Sequence, residues 1–372
     1  MINRIYVDNY KCFTNFECRF GPMQLLLGEN GSGKTSTFNV LETLRDFLIN
    51  GYPTSYQFPN STLTAWDSRP LQTFELGLTG NGGDYLYKLI IEHDRTNFSN
   101  RIKSEDLSFN NSQLFHFDGR DAHLFSEGQA NDSKFPFDNT RSAIFFIPPR
   151  EEHEKLIWFR QRMRGIYFFS PDPTHMTSIA DTERFISDRP MLQLASWIRH
   201  LWQQRADFAA ALLDHLREII EGLATFNLEK TSEISRELRF QFHLGGTTAA
   251  SLSRQYSLKF DQLSDGQKNL VALYTILLAA VHEGATVCLD EPDNFISLRE
   301  IQPWLIELRK QVHSQSSQCL LISHHPELIN LLSTDCGLNF YREEAGPTRV
   351  KAFEWTGEEG LLPAELIARG WK

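Results

Sequence analysis

Residues 25–44 read LLLGENGSGKTSTFNVLETL: an apolar run, a turn crowded with three glycines and a lysine, then an amphipathic stretch. The segment from Gly28 to Thr35 satisfies GxxxxGK[ST], in the strand-to-helix setting that this motif requires. Glycines let consecutive backbone N–H groups converge on one point and form a nest for phosphate oxygens. A helix starting near Gly33 adds the positive end of its dipole. A chance match in a chain this long is on the order of one per cent. Asn30, Gly31, Ser32, Gly33, Lys34, Thr35 and Ser36 are therefore expected to hold the phosphates of a nucleotide. Lys34 would reach the β- and γ-phosphates, and the Thr35 hydroxyl would ligate Mg²⁺.

The rest of the chain must supply what such a ligand needs. Residues 1–27 read as strands, and residues 33–49 as a helix with Phe38, Val40, Leu41, Leu44 and Leu48 inward. FELGLTG (74–80), the turn Asn81-Gly82-Gly83 and DYLYKLIIEH (84–93) form a hairpin. Residues 94–140 are polar and suit loops and short edge strands, and IFFIPP (144–149) reads as a strand stopped by prolines. Two amphipathic helices follow, one with Leu194, Trp197, Ile198, Leu201 and Trp202 on a face, the other with Phe208, Leu212, Leu216, Ile219 and Leu223. ELRFQFHLGG (237–246) returns to alternation with Leu238, Phe240, Phe242 and Leu244 on one side. Then come a helix (265–283), a strand (285–289), a helix (297–313), a strand (319–323) and a short tail, an alternation that implies parallel sheet. The expected organisation is an N-terminal part at 1–150, a mainly helical insertion at 151–235, and a C-terminal part at 236–372.

A phosphate loop alone does not separate kinases, GTPases, helicases and transporters. TVCLDEP (286–292) is an apolar strand ending in two acids. Asp290 at its tip would hold Mg²⁺ through water, and Glu291 would polarise the attacking water as general base. Two acids ahead of a helix also suit a helix N-terminus, but the glycine loop earlier in the chain favours the catalytic reading.

LSDGQ (263–267) followed by KNLVALYTILLAA resembles the signature motif and helix of ATP-binding-cassette ATPases. The resemblance implies that Ser264, Gly266 and Gln267, at a helix N-terminus, cap the γ-phosphate of ATP bound to the opposite subunit of a homodimer. CLLISHHPELI resembles the stretch carrying that family's switch histidine, which assigns γ-phosphate sensing to His324 and leaves His325 a structural role. IYVDNYKCF ahead of the glycine loop resembles the opening of SMC and RecF heads. By that resemblance Lys11 contacts the nucleotide, with a solvated turn lysine as the equal alternative. The fold implied is α/β: a P-loop NTPase with a mixed sheet like ABC and SMC heads, an antiparallel β lobe and a helical insertion.

Within that superfamily, the span from Lys34 to Ser264 is longer than in transporter ATPases, and the coiled-coil arms of SMC proteins are absent. RGIYFFSPDP (164–173), with SDGQ, resembles standalone bacterial ATPases related to the OLD nucleases. Residues 325–372 are too few for the Toprim nuclease domain of those proteins, so any cleavage or toxicity is expected from a separate effector. DEPDNFISL departs from the family pattern by placing Ser297 and Leu298 after the acids. The region 147–150 and Gln161 are the candidates for the family's glutamine lid. Arg160, Arg162 and Arg164, beside Trp158 and Phe159, form either a partner or DNA contact or a solvated helix face.

A net charge of −10 argues against coating nucleic acid through bulk charge, yet leaves room for DNA in a local basic groove. Five cysteines without a CxxC pair suit reduced thiols, and the N-terminus lacks the apolar core of a signal peptide. No apolar run reaches membrane-spanning length, so the expected location is the cytoplasm with no membrane contact. The reading is an ATP-dependent dimerising ATPase that regulates an effector, a nuclease or toxin, in bacterial defence or DNA surveillance. A RecF- or SMC-like DNA repair clamp is the alternative, and a transporter ATPase fits less well.

Overall fold

Alternation at the N-terminus folds as expected into β1 (Ile2–Asp8) and β2 (Phe16–Arg19), paired antiparallel, with Ile2, Ile5, Val7, Phe16 and Cys18 buried. The computed structural model describes residues 1–125, 133–181, 188–244, 255–355 and 361–368. It divides into two units, Met1–Tyr167 with Leu328–Lys372, and Phe168–Glu327.

In the first unit, β3 (Met23–Leu27) is buried along its whole length and leads through the glycine loop into helix α1 (Lys34–Asn50). Phe38, Leu41, Leu44, Phe47 and Leu48 lie inward on α1, and Phe47 meets Phe58 edge-on at 5.2 Å. A left-handed Gly51 ends the helix, the residue type that takes this conformation without penalty. The hairpin forms as read: β4 (Leu71–Gly80) and β5 (Gly83–Asp94) close on Asn81 and Gly82, both at positive φ, as a two-residue turn demands.

The polar stretch beyond it departs from expectation. Residues 94–140 hold β6 (Ser99–Phe109), β7 (Ser112–Phe117), β8 (Asp121–Leu124) and β9 (Ser133–Pro136). These complete an antiparallel sheet of order β2-β1-β4-β5-β6-β7-β8-β9. β6 is eleven residues long, and its inward row Ile102, Glu105, Leu107, Phe109 is interrupted by an acid, which masks the alternation. IFFIPP is also not a strand: Ala143–Phe146 make one helical turn, since a short apolar run does not declare its period.

Within β10 (Ile166–Phe169) the chain enters the second unit. The helices Leu194–Gln204 and Phe208–Ile219 form as read, with Leu194, Trp197, Ile198, Leu201 and Phe208, Leu212, Leu216 buried. Leu223 is not on the second helix; it opens the strand Leu223–Lys230. A four-stranded antiparallel sheet contains β11 (Ile179–Ala180), β12 (Leu223–Lys230), β13 (Arg236–His243) and β14 (Gln255–Lys259), with β13 pairing to each of the others. Leu244 lies past the end of β13 and is exposed, so only Leu238, Phe240 and Phe242 keep the inward row. The signature helix (Asp265–Ile276) runs into a π-helical turn at Leu277–Val281, and β15 (Thr286–Asp290) pairs in parallel with β16 (Gln318–Ile322).

The expected short tail instead belongs to the first unit's core. β17 (Gly337–Arg342) adds in parallel to β3, and β18 (Thr348–Ala352) pairs back on β17. Leu25 to Leu27 are thereby covered by a strand some three hundred residues away, a placement that no local pattern carries.

Candidate functional site

The glycine loop is built by close approach. Gly28, at φ 136°, passes so near β17 that a Cβ would stand 2.1 Å from the Phe340 carbonyl oxygen. Gly31 takes φ 77° in open space, and Gly33 takes φ 107° beneath the Thr348 hydroxyl and the Cys12 sulfur. Thr348 ties the parts together: its backbone N–H donates to Cys12 at 3.0 Å, and its Oγ1 donates to the Ser32 carbonyl at 2.9 Å. Lys34 is buried and folds back so that Nζ donates to the carbonyls of Gly28 at 2.6 Å and Glu29 at 3.0 Å.

Three observations bear on what fits here. The N-terminus of α1 has no capping side chain and no acid in its first turn, so its N–H groups face an anion unopposed. Ser32 Oγ is buried and has no hydrogen-bond partner among the described residues. Thr35 is exposed and Ser36 half-buried in the first turn. A chelated triphosphate suits this donor set: N–H groups, an ammonium and hydroxyls. Asn30 and Gly31 are exposed at the outer tip, and a cleft of about 280 Å³ runs from Gly28–Ser32 past Asn339–Arg342. Lys11, left-handed at φ 49°, donates its N–H to Thr62 at 2.7 Å and sets Nζ over the Tyr10 ring at 5.5 Å.

The second unit gathers the remaining candidates. Asp290 ends β15, and Glu291 leaves the strand in left-handed conformation at φ 51° while its N–H donates to Ile322 at 2.8 Å. Asn294 Nδ2 donates to Glu291 Oε2 at 2.9 Å. His324 Nε2 stands 3.9 Å from Glu291 Oε1, with both side chains nearly half exposed. His325 Nδ1 accepts the Glu327 N–H at 3.2 Å. Asp293 is buried beside this pair, and burial pushes its carboxyl up against the opposing pull of the Ser323 hydroxyl.

Ser264 and Gln267 form a reciprocal cap on the signature helix: Gln267 N–H donates to Ser264 Oγ at 3.2 Å, and Ser264 N–H to Gln267 Oε1 at 3.1 Å. Gly266 abuts the loop after Glu291, where a Cβ would lie 2.8 Å from the Phe295 carbonyl oxygen. Asn269, fully buried, donates from Nδ2 to the carbonyls of Pro292 at 2.9 Å and Asn294 at 2.7 Å. Ser297 caps the next helix with Glu300, its N–H donating to Oε2 at 3.1 Å. Of the basic cluster, Arg160 turns inward to the Ile147 carbonyl and Arg162 is half-buried, which leaves Arg164 exposed. Gln161 is exposed on the helix Glu154–Arg164, beside Pro149, Arg150 and Trp158.

Sequence reasoning missed Thr348, Asn269, Asp293 and Arg189, the last of which pairs with Asp290 at 3.2 Å. Only Asn269 carried a signal, an amide on the apolar face of a helix. In fold the protein is of the SMC-head class of P-loop proteins. It belongs to the family described as "AAA domain, putative AbiEii toxin, Type IV TA system", which matches residues 25–330. An SMC head bound to the C-winged helix domain of ScpA superposes at TM-score 0.58 with 11% identity, over 97% of this chain and 99% of that one. An Smc head with an extended coiled coil, bound to the C-terminal domain of ScpA derived from Pyrococcus furiosus, gives 0.51 with 10% identity, over 100% and 99%. No curated protein matches the chain. Among the described residues no helix is long and apolar enough to cross a membrane.

Proposed function

We propose that the protein binds ATP·Mg²⁺ and hydrolyses it to ADP and phosphate. The observation that carries the reading is the uncapped, glycine-lined start of α1 with Lys34 folded over the loop and the Ser32 hydroxyl left without a partner among the described residues. On ATP binding, Lys34 exchanges two carbonyl acceptors for phosphate oxygens, a stronger charge-assisted pairing. The backbone N–H groups of residues 30–36 take the remaining oxygens. Mg²⁺, when bound, neutralises charge on the β- and γ-phosphates, and Thr35 and Asp290 are the residues that would hold it. Glu291 takes the proton of the attacking water: Asn294 fixes one carboxylate oxygen and leaves the other toward His324. His324, exposed beside Glu291, would answer the γ-phosphate, a role supported by the resemblance of CLLISHHPELI to the switch-histidine stretch.

In this proposal two copies close around two ATP molecules, each capped by the partner's Ser264, Gly266 and Gln267, and hydrolysis reopens them. Support comes from the exposed Ser264 at a helix N-terminus and from the chain's resemblance to ABC ATPases at LSDGQ. The proposed role is a regulatory ATPase in the cytoplasm acting on a separate effector in bacterial defence; the family description lends support to the defence setting. Titration calorimetry tests the base of the proposal. Wild-type protein is expected to bind ATP with Mg²⁺, and Lys34→Ala to give no binding heat. Equal affinity in the variant would remove the phosphate-loop assignment.

A further inference from the structure

Asp290 does not stand alone at the end of β15. Arg189 Nη2 lies 3.2 Å from its Oδ2, with the carboxylate only 13% and the guanidinium 25% exposed. Arg189 arrives from a distant part of the second unit and is held there by backbone. Its carbonyl accepts the Ser170 N–H at 2.7 Å, and the next carbonyl, of Pro190, accepts the Asp172 N–H at 3.0 Å. Met191 turns left-handed at φ 59°, its N–H bonded to Asp188 at 2.9 Å, just before the helix Leu194–Gln204 begins. The guanidinium thus sits on a braced turn whose next element is a helix of the insertion.

We propose that Arg189 is a built-in cation surrogate: it occupies Asp290 while no metal is bound, and Mg²⁺ arriving with ATP must displace it. The proposal rests on the reading of Asp290 as a metal residue. A guanidinium and a hydrated divalent ion drawn to one carboxylate repel each other as like charges, so the two compete. The pair contributes to the resting state what the metal contributes to the loaded one, neutralisation of a mostly buried charge. Displacing Arg189 releases the turn 188–191 from Asp290, so the insertion carries a record of whether the metal is present. An ion pair serving stability alone would show no such competition.

The test is Mn²⁺ binding, read by electron paramagnetic resonance of the free ion, with a non-hydrolysable ATP analogue present. Wild type is compared with Arg189→Gln, Arg189→Lys and Asp290→Asn. Removing the surrogate charge should tighten Mn²⁺ about tenfold in Arg189→Gln. Arg189→Lys, which keeps the charge, should stay near wild type, and Asp290→Asn should weaken Mn²⁺ strongly. Unchanged or weaker Mn²⁺ binding in Arg189→Gln, alongside a weakened Asp290→Asn, overturns the surrogate while the metal residue stands. Unaltered binding in Asp290→Asn removes the metal assignment itself, and the surrogate with it. If Arg189→Gln does not fold, Arg189→Met, which keeps the apolar stem, takes its place with the same expectation.

Discussion

Glu105 is the acid that hid a strand. It is fully buried in β6, where its Oε1 accepts from the Tyr87 hydroxyl at 2.9 Å and the Ser142 hydroxyl at 2.5 Å. Its Oε2 has no partner among the described residues. Burial pushes the carboxyl up to about 7, against the hydrogen bonds from Ser142 and Tyr87 that pull it down. The folded chain therefore keeps a proton that the unfolded chain releases near its ordinary value of 4.5. The stability gained is complete below that value and is lost as pH rises through about 7. Glu105→Gln should flatten this dependence. Urea melts at pH 4 and pH 8 should show wild type losing about 3 kcal/mol relative to the variant, and parallel losses would refute the buried-acid account. The same residue explains a gap in what the sequence discloses. Residues proposed to touch ligand advertise themselves by type and spacing, as Lys34, Asp290 and Glu291 do. Arg189 and Thr348 do not, because a partner reached only through the fold leaves no local trace.

Elements were legible in proportion to how purely one face was apolar. α1, the β4–β5 hairpin, β15 and β16 each carry a clean pattern, and each formed where the residues put it. The helical turn Ala143–Phe146 reads as a strand because so short a run does not declare its period, and the strands β17 and β18 escaped notice because GLNFYR alternates weakly. The signature helix does more than present its N-terminus. Through Asn269 it grips the turn after Glu291, where Glu291 and Phe295 both hold positive φ, a conformation that residues with a Cβ adopt only when surroundings impose it. Asn269→Leu leaves the carbonyls of Pro292 and Asn294 without their donor. It should cost about 1–3 kcal/mol in unfolding experiments. Hydrogen exchange at residues 291–297 should quicken as well. Protection equal to wild type would mean the turn is held by other contacts.

At the scale of the molecule, the proposed ATP-dependent association would make dimer population a function of nucleotide, since a ligand bound only by the closed pair pulls mass toward it. In the proposed two-fold arrangement each copy would cap the other's site, so the assembly would stop at two. Glu291→Gln should bind ATP, turn over slowly and double its mass in light scattering, while Lys34→Ala stays monomeric under the same conditions. Normal turnover by Glu291→Gln would place the general base elsewhere. One detail of the first unit reaches beyond the finished protein. The brace from Thr348 to Ser32 joins residues 316 apart, and the strand beside β3 comes from the same late region. On the ribosome the glycine loop emerges long before the segment that shapes it. A nascent chain must reach residue 348 before nucleotide can steady it, so the burden of early folding falls on the antiparallel hairpins.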